Sequence, residues 1–187
     1  ANRYFQRVFG RPRPQYYGSR SLDEARAKRI SDAFDAMKHD PNNPEVKAAY
    51  EALAKETLDQ YNEFAKAGYK VEINNNEPYN NSQEMIDDLR NNKRMKIFST
   101  ESGFGDSKIT DKQRAENPLL RDSGIKDING KPLLINDVFR AIHDFYGHAE
   151  LGNSFGPKGE ENAWNVHARM FSPEARKAMT TETRGQN

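Results

Sequence analysis

Two of the chain's four histidines fall within six residues of each other in Val138-Phe-Arg-Ala-Ile-His-Asp-Phe-Tyr-Gly-His-Ala-Glu-Leu151. Neutral imidazole is the commonest protein donor to a transition metal, so His143 and His148 are the first candidate ligands. Asp144 and Glu150 add carboxylates that can orient an imidazole from outside or simply cap and solvate a helix. The spacing itself poses a problem. An α-helix turns about 100° per residue, which leaves residues five apart roughly 140° apart, whereas a spacing of four shares one face. Convergence on one ion therefore needs long side chains around a cleft or a helix distorted near Gly147.

A third ligand has to come from farther along, and the candidates are Glu160, Glu161, His167, Glu174 and Glu182. His167 lies three residues after Trp164 and four before Phe171, the pattern of a core or pocket-lining histidine. Glu182 sits among small hydroxyl residues in Thr180-Thr-Glu-Thr-Arg184, where it can pack against a site or pair with Arg184. Two histidines and one carboxylate make the facial triad of non-haem Fe(II) oxygenases. Three histidines (His143, His148 and His167) would instead suit Zn(II), with Asp144 or a glutamate as general base of a hydrolase. In a third reading the histidines only stabilise a helix junction in a non-enzymatic interaction module.

The elements that must position these residues read as a mainly helical α+β domain over 21–187, preceded by a basic extended arm over 1–20. Ser21-Leu-Asp-Glu24 matches a capping box and opens a helix with Leu22, Ala25, Ile30, Ala33, Phe34 and Met37 on one face. After Asp40-Pro-Asn-Asn-Pro44, a second helix has Asn43 as cap and Pro44 at its first position. It carries Val46, Ala49, Tyr50, Leu53, Tyr61 and Phe64 as a stripe and stops at Gly68. The two are expected to pair as an antiparallel hairpin with core-facing stripes. Tyr69 to Ile73 and Met95 to Ser99 alternate like strands, with a short helix from Ser82 to Leu89 between them. Glu101 to Ser123 reads as a mobile loop. Asn129-Gly130 predicts a hairpin turn between Ile125–Ile128 and Lys131–Ile135. Asn136 is the expected cap of the His143 helix, another helix is predicted over Glu160 to Phe171, and a last one begins at Ser172-Pro173-Glu174.

Composition limits the partners. Of 187 residues, 35% are hydrophobic and 30% charged, with 10% aromatic, which fits one folded domain with a modest core. A net charge of +1 gives no general attraction to nucleic acid or anionic membrane, and the arginines of the first twenty residues read as a solvated or partner-docking arm. Cysteine is absent, so disulfides and thiolate metal sites are excluded. No apolar run approaches the ~18 residues of a membrane span, and the expectation is a soluble, cytoplasmic protein. The start at Ala1 and the end at Asn187 read as a piece of something longer.

His143-Asp-Phe-Tyr-Gly-His148-Ala-Glu-Leu151 resembles the iron-binding segment of the pterin-dependent aromatic amino acid hydroxylases, where two imidazole ligands share this spacing. The family's third ligand is a glutamate farther along, and Thr180-Thr-Glu-Thr-Arg-Gly185 looks like its counterpart. The resemblance thus implies His143, His148 and Glu182 as iron ligands, a reduced pterin as electron donor, and dioxygen and an aromatic or other small substrate as reactants. On this reading Asp144 orients an imidazole, and Tyr146, Trp164 and Phe171 line an apolar pocket in a cleft between the last three helices. A second resemblance joins Gly159-Glu-Glu-Asn-Ala-Trp164, His167-Ala-Arg-Met-Phe-Ser-Pro173 and the stretch from Thr180 to Asn187 to uncharacterised bacteriophage proteins, some of them large and multidomain. It implies a phage source, host cytoplasm or virion as location, and other domains of a larger protein as partners.

Overall fold

The structure is a computed structural model that describes residues 1–15, 23–105 and 107–184. Among these residues the chain is mainly helical, with two small two-stranded sheets, the architecture expected of a helical α+β domain. The expected capping box at Ser21 and the apolar Leu22 lie outside the described residues.

The centre of the fold is α3 (Pro44–Lys66), and its start follows the sequence signals. The Asn43 side chain accepts from the Glu45 N–H, and Pro44 occupies the first turn. Over its 23 residues it buries Ala49, Leu53, Ala54, Tyr61 and Phe64. Two expectations for the N-terminal half are corrected. Part of the basic arm is a helix, α1 (Asn2–Phe9), because Tyr4 and Phe5 bury completely against the core while Arg7 reaches Asp59 and Glu63 on α3. Conversely, α2 (Glu24–Asp35) buries no residue, so it does not form the expected core-packed hairpin with α3. Its stripe is too thin: Ile30 and Phe34 are only half-buried and Met37 is exposed.

The strands and their crossover follow the alternation in the sequence. β1 (Lys70–Asn74) and β2 (Arg94–Phe98) pair in parallel, Lys70 opposite Arg94 and Asn74 opposite Phe98, and α4 (Ser82–Asn92) makes the connection. The stretch expected to be a mobile loop is instead largely ordered. It contains the single-turn α5 (Thr100–Gly103), then α6 (Asp111–Glu116), which a reciprocal Thr110–Gln113 capping box starts. A 3₁₀ turn follows over Pro118–Leu120, and all three of its residues are buried. β3 (Asp122–Lys126) and β4 (Pro132–Leu134) form the antiparallel hairpin around Asn129-Gly130. The Asp127 carboxylate ties that turn to β1 by accepting from the N–H groups of Asn129, Lys131 and Ile73.

The helix that carries the first histidine is α7 (Ile135–His143), and it begins one residue before the expected cap, Asn136. Asp137 does the capping from inside the first turn: its buried carboxylate accepts from Leu134 N at 2.8 Å and from both N and Oγ1 of Thr100. Asn136 instead donates to Thr100 Oγ1. This cluster fixes where α7 starts, and therefore where His143 ends up. α8 (Pro157–His167) starts three residues earlier than expected, with Pro157 in its first turn, and continues as a 3₁₀ turn over Ala168–Met170. α9 (Pro173–Thr183) has the expected Ser172 cap. It packs along α3, whereas α8 packs against the segment between α7 and itself.

Candidate metal centre

That intervening segment resolves the spacing problem. Directly after α7 the backbone widens into a π-helical stretch, Asp144–Ala149, with Glu150 N bonded to Phe145 O and Asn153 N to His148 O. In i→i+5 geometry a residue lies above the one five before it, as i and i+4 do in an α-helix. His143 and His148 therefore share a face, with ring centroids 5.3 Å apart. The distortion spans Gly147 and is one of the two routes to convergence that the sequence left open. Gly147 also lets the segment come close to α8, since a Cβ there would stand 3.1 Å from the Ala163 Cβ and 3.2 Å from the Ala163 carbonyl oxygen.

Glu160, in the first turn of α8, completes the group. One side-chain donor atom from each of His143, His148 and Glu160 lies within 4.8 Å of the others. Glu160 Oε2 is 3.3 Å from His148 Nε2 and 3.8 Å from His143 Nε2. Both histidines are buried and Glu160 is about a quarter exposed, so the cluster opens to solvent on the carboxylate side. Gly159 makes the approach possible: a Cβ there would lie 1.8 Å from the Ser154 carbonyl oxygen. That same carbonyl stands 3.1 Å from His148 Nδ1, and the Asn153 carbonyl 3.2 Å. Carbonyls only accept, so His148 carries a proton on Nδ1, and in the neutral ring it turns a bare Nε2 toward Glu160.

In the metal-free cluster the carboxylates also draw a second proton to His148, the position a metal ion would take instead. Burial alone would raise the Glu160 carboxyl, but His143 and His148 outweigh it and draw the group down to about 2. Burial likewise opposes a charged His148, yet Glu160 and Asp144 hold it above the usual imidazole value. Asp144 is raised, chiefly by burial, with His148 and His143 pulling the other way. Its carboxyl is half-buried beside the three ligand candidates and has no hydrogen-bond donor among the described residues. It does not orient an imidazole through a hydrogen bond, as the sequence suggested. The donor set of two imidazoles and one carboxylate, gathered on one side and open on the other, suits a single divalent cation.

The remaining sequence candidates sit elsewhere. Glu182 points away from the histidines, between α9 and α3, where its carboxylate accepts the Tyr50 hydroxyl proton at 2.5 Å. The iron triad implied with Glu182 is therefore not assembled; Glu160 takes that place. His167 is fully buried and both its nitrogens face protein partners, Nδ1 with His143 Nδ1 at 3.0 Å and Nε2 with Gln60 Oε1 at 2.7 Å. Burial first, then the charges of His143 and His148, keep it well below the usual imidazole value. It has no nitrogen left for an ion, so the three-histidine zinc set is not assembled either.

Tyr146 and Phe171 belong to the core. The Tyr146 hydroxyl donates to the Gln60 carbonyl, and Phe171 packs on Phe139 and His167. Trp164, one turn beyond Glu160, is covered by the Arg184 guanidinium 4.0 Å above its ring, and Glu161 clamps that arginine. Arg184 therefore pairs with Glu161, not with Glu182. Glu150 binds Arg13. The apolar walls of the centre come instead from Phe155, whose ring lies edge-on to His148, and from Phe139, stacked on His143.

The sequence offered Glu160 as one of five candidates without a way to choose. A usable signal was Gly156-Pro157, which starts α8 and puts Glu160 in its first turn. No family model matches the chain, and no curated protein or solved structure matches it. Among the described residues, no helix is long and apolar enough to cross a membrane.

Proposed function

We propose that His143, His148 and Glu160 bind one divalent metal ion and that the chain is a non-haem Fe(II)-dependent, monooxygenase-like enzyme for a small substrate. The observation that carries this reading is the convergence of two imidazole nitrogens and one carboxylate oxygen within 4.8 Å at a π-helical distortion. Such distortions concentrate at functional sites. Iron held by His143, His148 and Glu160 would supply dioxygen activation, with two electrons from a reduced donor such as a pterin. The protein's own contribution would be to present two imidazoles and one anionic carboxylate, to wall the histidines with Phe139 and Phe155, and to keep the Asp144 carboxyl, raised chiefly by burial, near the two histidines as a proton acceptor. The likeness to the pterin-dependent hydroxylases supports this at His143 and His148 and lends no support at Glu182. In the same proposal, the likeness of the C-terminal stretch to phage proteins supports a place within a larger phage polypeptide.

A second reading, a zinc hydrolase, draws on the unbonded carboxyl of Asp144, because two histidines and a glutamate also hold catalytic zinc and a nearby carboxylate can serve as general base. One experiment addresses both. Anaerobic titration with Fe(II) and with Zn(II) is expected to give one ion per chain. The iron form should then consume dioxygen when a reduced pterin and aromatic amino acids are supplied. Ester or peptide hydrolysis by the zinc form, without dioxygen uptake by the iron form, would select the hydrolase. Failure to bind either ion would overturn the metal reading and leave a non-enzymatic interaction module.

A further inference from the structure

Beneath the three ligand candidates runs a buried chain of polar groups that links them to α3. His143 Nδ1 lies 3.0 Å from His167 Nδ1, His167 Nε2 lies 2.7 Å from Gln60 Oε1, and Gln60 Nε2 lies 3.2 Å from the Met170 carbonyl oxygen. Gln60 and His167 are both fully buried. Their proton positions follow from the far end of the chain. The Met170 carbonyl can only accept, so the Gln60 amide must turn its NH₂ toward it; the opposite orientation would set two oxygens 3.2 Å apart with no proton between them. Gln60 Oε1 then faces His167 and can only accept, which places the His167 proton on Nε2. A neutral, fully buried His167 has a bare Nδ1, and only a proton on His143 Nδ1 can occupy the 3.0 Å contact between the two rings.

We propose that Gln60 and His167 are positioning residues that hold His143 in the tautomer with its proton on Nδ1, so that Nε2 offers a lone pair to the metal position. His148 reaches the same state through the carbonyls of Asn153 and Ser154. Two bare nitrogens and a carboxylate oxygen then face one another, an arrangement that a cation satisfies. The purpose of the chain rests on the metal reading, but the tautomer is a property of the metal-free protein and can be measured without it.

The test is long-range ¹H–¹⁵N correlation NMR of histidine-labelled, metal-free protein at pH 8, above the usual imidazole range. His143 is expected to show a protonated Nδ1 and a bare Nε2. Q60L, which changes nothing at the ligands, should release His167 and mix the His143 tautomers. H167F should do the same and weaken Zn(II) binding about 10- to 100-fold, the usual cost of losing a group that orients a metal-bound histidine. H167N places an amide oxygen where His167 Nδ1 stood and should restore affinity to within about threefold of the native protein, a rescue that packing alone would not produce. A native His143 with its proton on Nε2 overturns the proposal, and so does an H167F protein with native tautomer and affinity. Should H167F fail to fold, the native and Q60L spectra decide. Should the native protein bind no metal, the proposed function falls while the spectra still judge the relay.

Discussion

Two half-buried glutamates, Glu160 and Glu182, meet opposite kinds of neighbour. Glu182 lies against a hydroxyl that donates to it: the Tyr50 proton fills the gap, and the pair helps lock α9 onto α3. Glu160 lies against two imidazole nitrogens, of which His148 Nε2 is left bare by the carbonyls on its Nδ1. One corner is closed by a hydroxyl's own hydrogen; the other, with its rings neutral, gathers acceptors and so takes up a cation, a proton or a metal ion. A buried carboxylate near aromatic side chains is thus no sign of a metal site by itself. What separates the two is whether the neighbour is a hydroxyl that keeps its proton or imidazoles that can exchange theirs for a metal ion.

The largest expected break in that contrast is E160Q, which should weaken Zn(II) or Fe(II) binding by more than the ~100-fold that loss of an orienting group costs. E182Q should leave affinity within about twofold. Equal losses in isothermal titration would erase the distinction between the corners. Next is G159A. The carbonyl of Ser154 cannot coexist with a Cβ at 1.8 Å, so the loop over His148 must move, and urea denaturation should show a loss of about 2 kcal/mol together with weaker metal binding. Smaller is Y50F, which removes the hydroxyl from Glu182 and should cost about 1 kcal/mol in the same assay while sparing the metal.

The smallest effect is alkaline. Tyr50 is raised far above 10, first by burial and then by the Glu182 charge. A raised phenol stabilises the fold fully below its unfolded value near 10 and loses that contribution as pH rises toward its folded value. At pH 10.5 the Tyr50 share is at most about 0.8 kcal/mol, less whatever water screens. Y50F should flatten the unfolding curve between pH 9.5 and 10.5 by that share, while a variant at the metal corner should not.

The sequence carried the helical α+β character and the histidine pair, because cap residues, apolar stripes and the spacing of His143 and His148 are local signals. It did not carry α1, whose Tyr4 and Phe5 become a core face only when laid on α3. Thr110 and Gln113 were a readable capping box inside a stretch taken as a loop, and composition outweighed them. The choice of Glu160 over Glu182 was hidden for another reason. It depends on the turn from Glu150 to Gly156 folding back over His148, and on α9 binding α3, both of them long-range events. Resemblance to the hydroxylases pointed to the same two imidazoles that the spacing had singled out and to Glu182, which the structure does not bring to them.

The π-helical stretch has a consequence for how this protein can change. A π turn is an α-helix with one residue too many, so the register of His148 under His143 is written in the length of the segment more than in the identity of Phe145 or Tyr146. Deleting one residue between the histidines would leave the regular spacing of four but would drag Gly147 out of its contact with Ala163 and shift everything that follows toward Glu160. Substitutions in this stretch should be survivable far more often than insertions or deletions. Chain length, counted in single residues from 143 to 148, is the inherited quantity on which the centre depends.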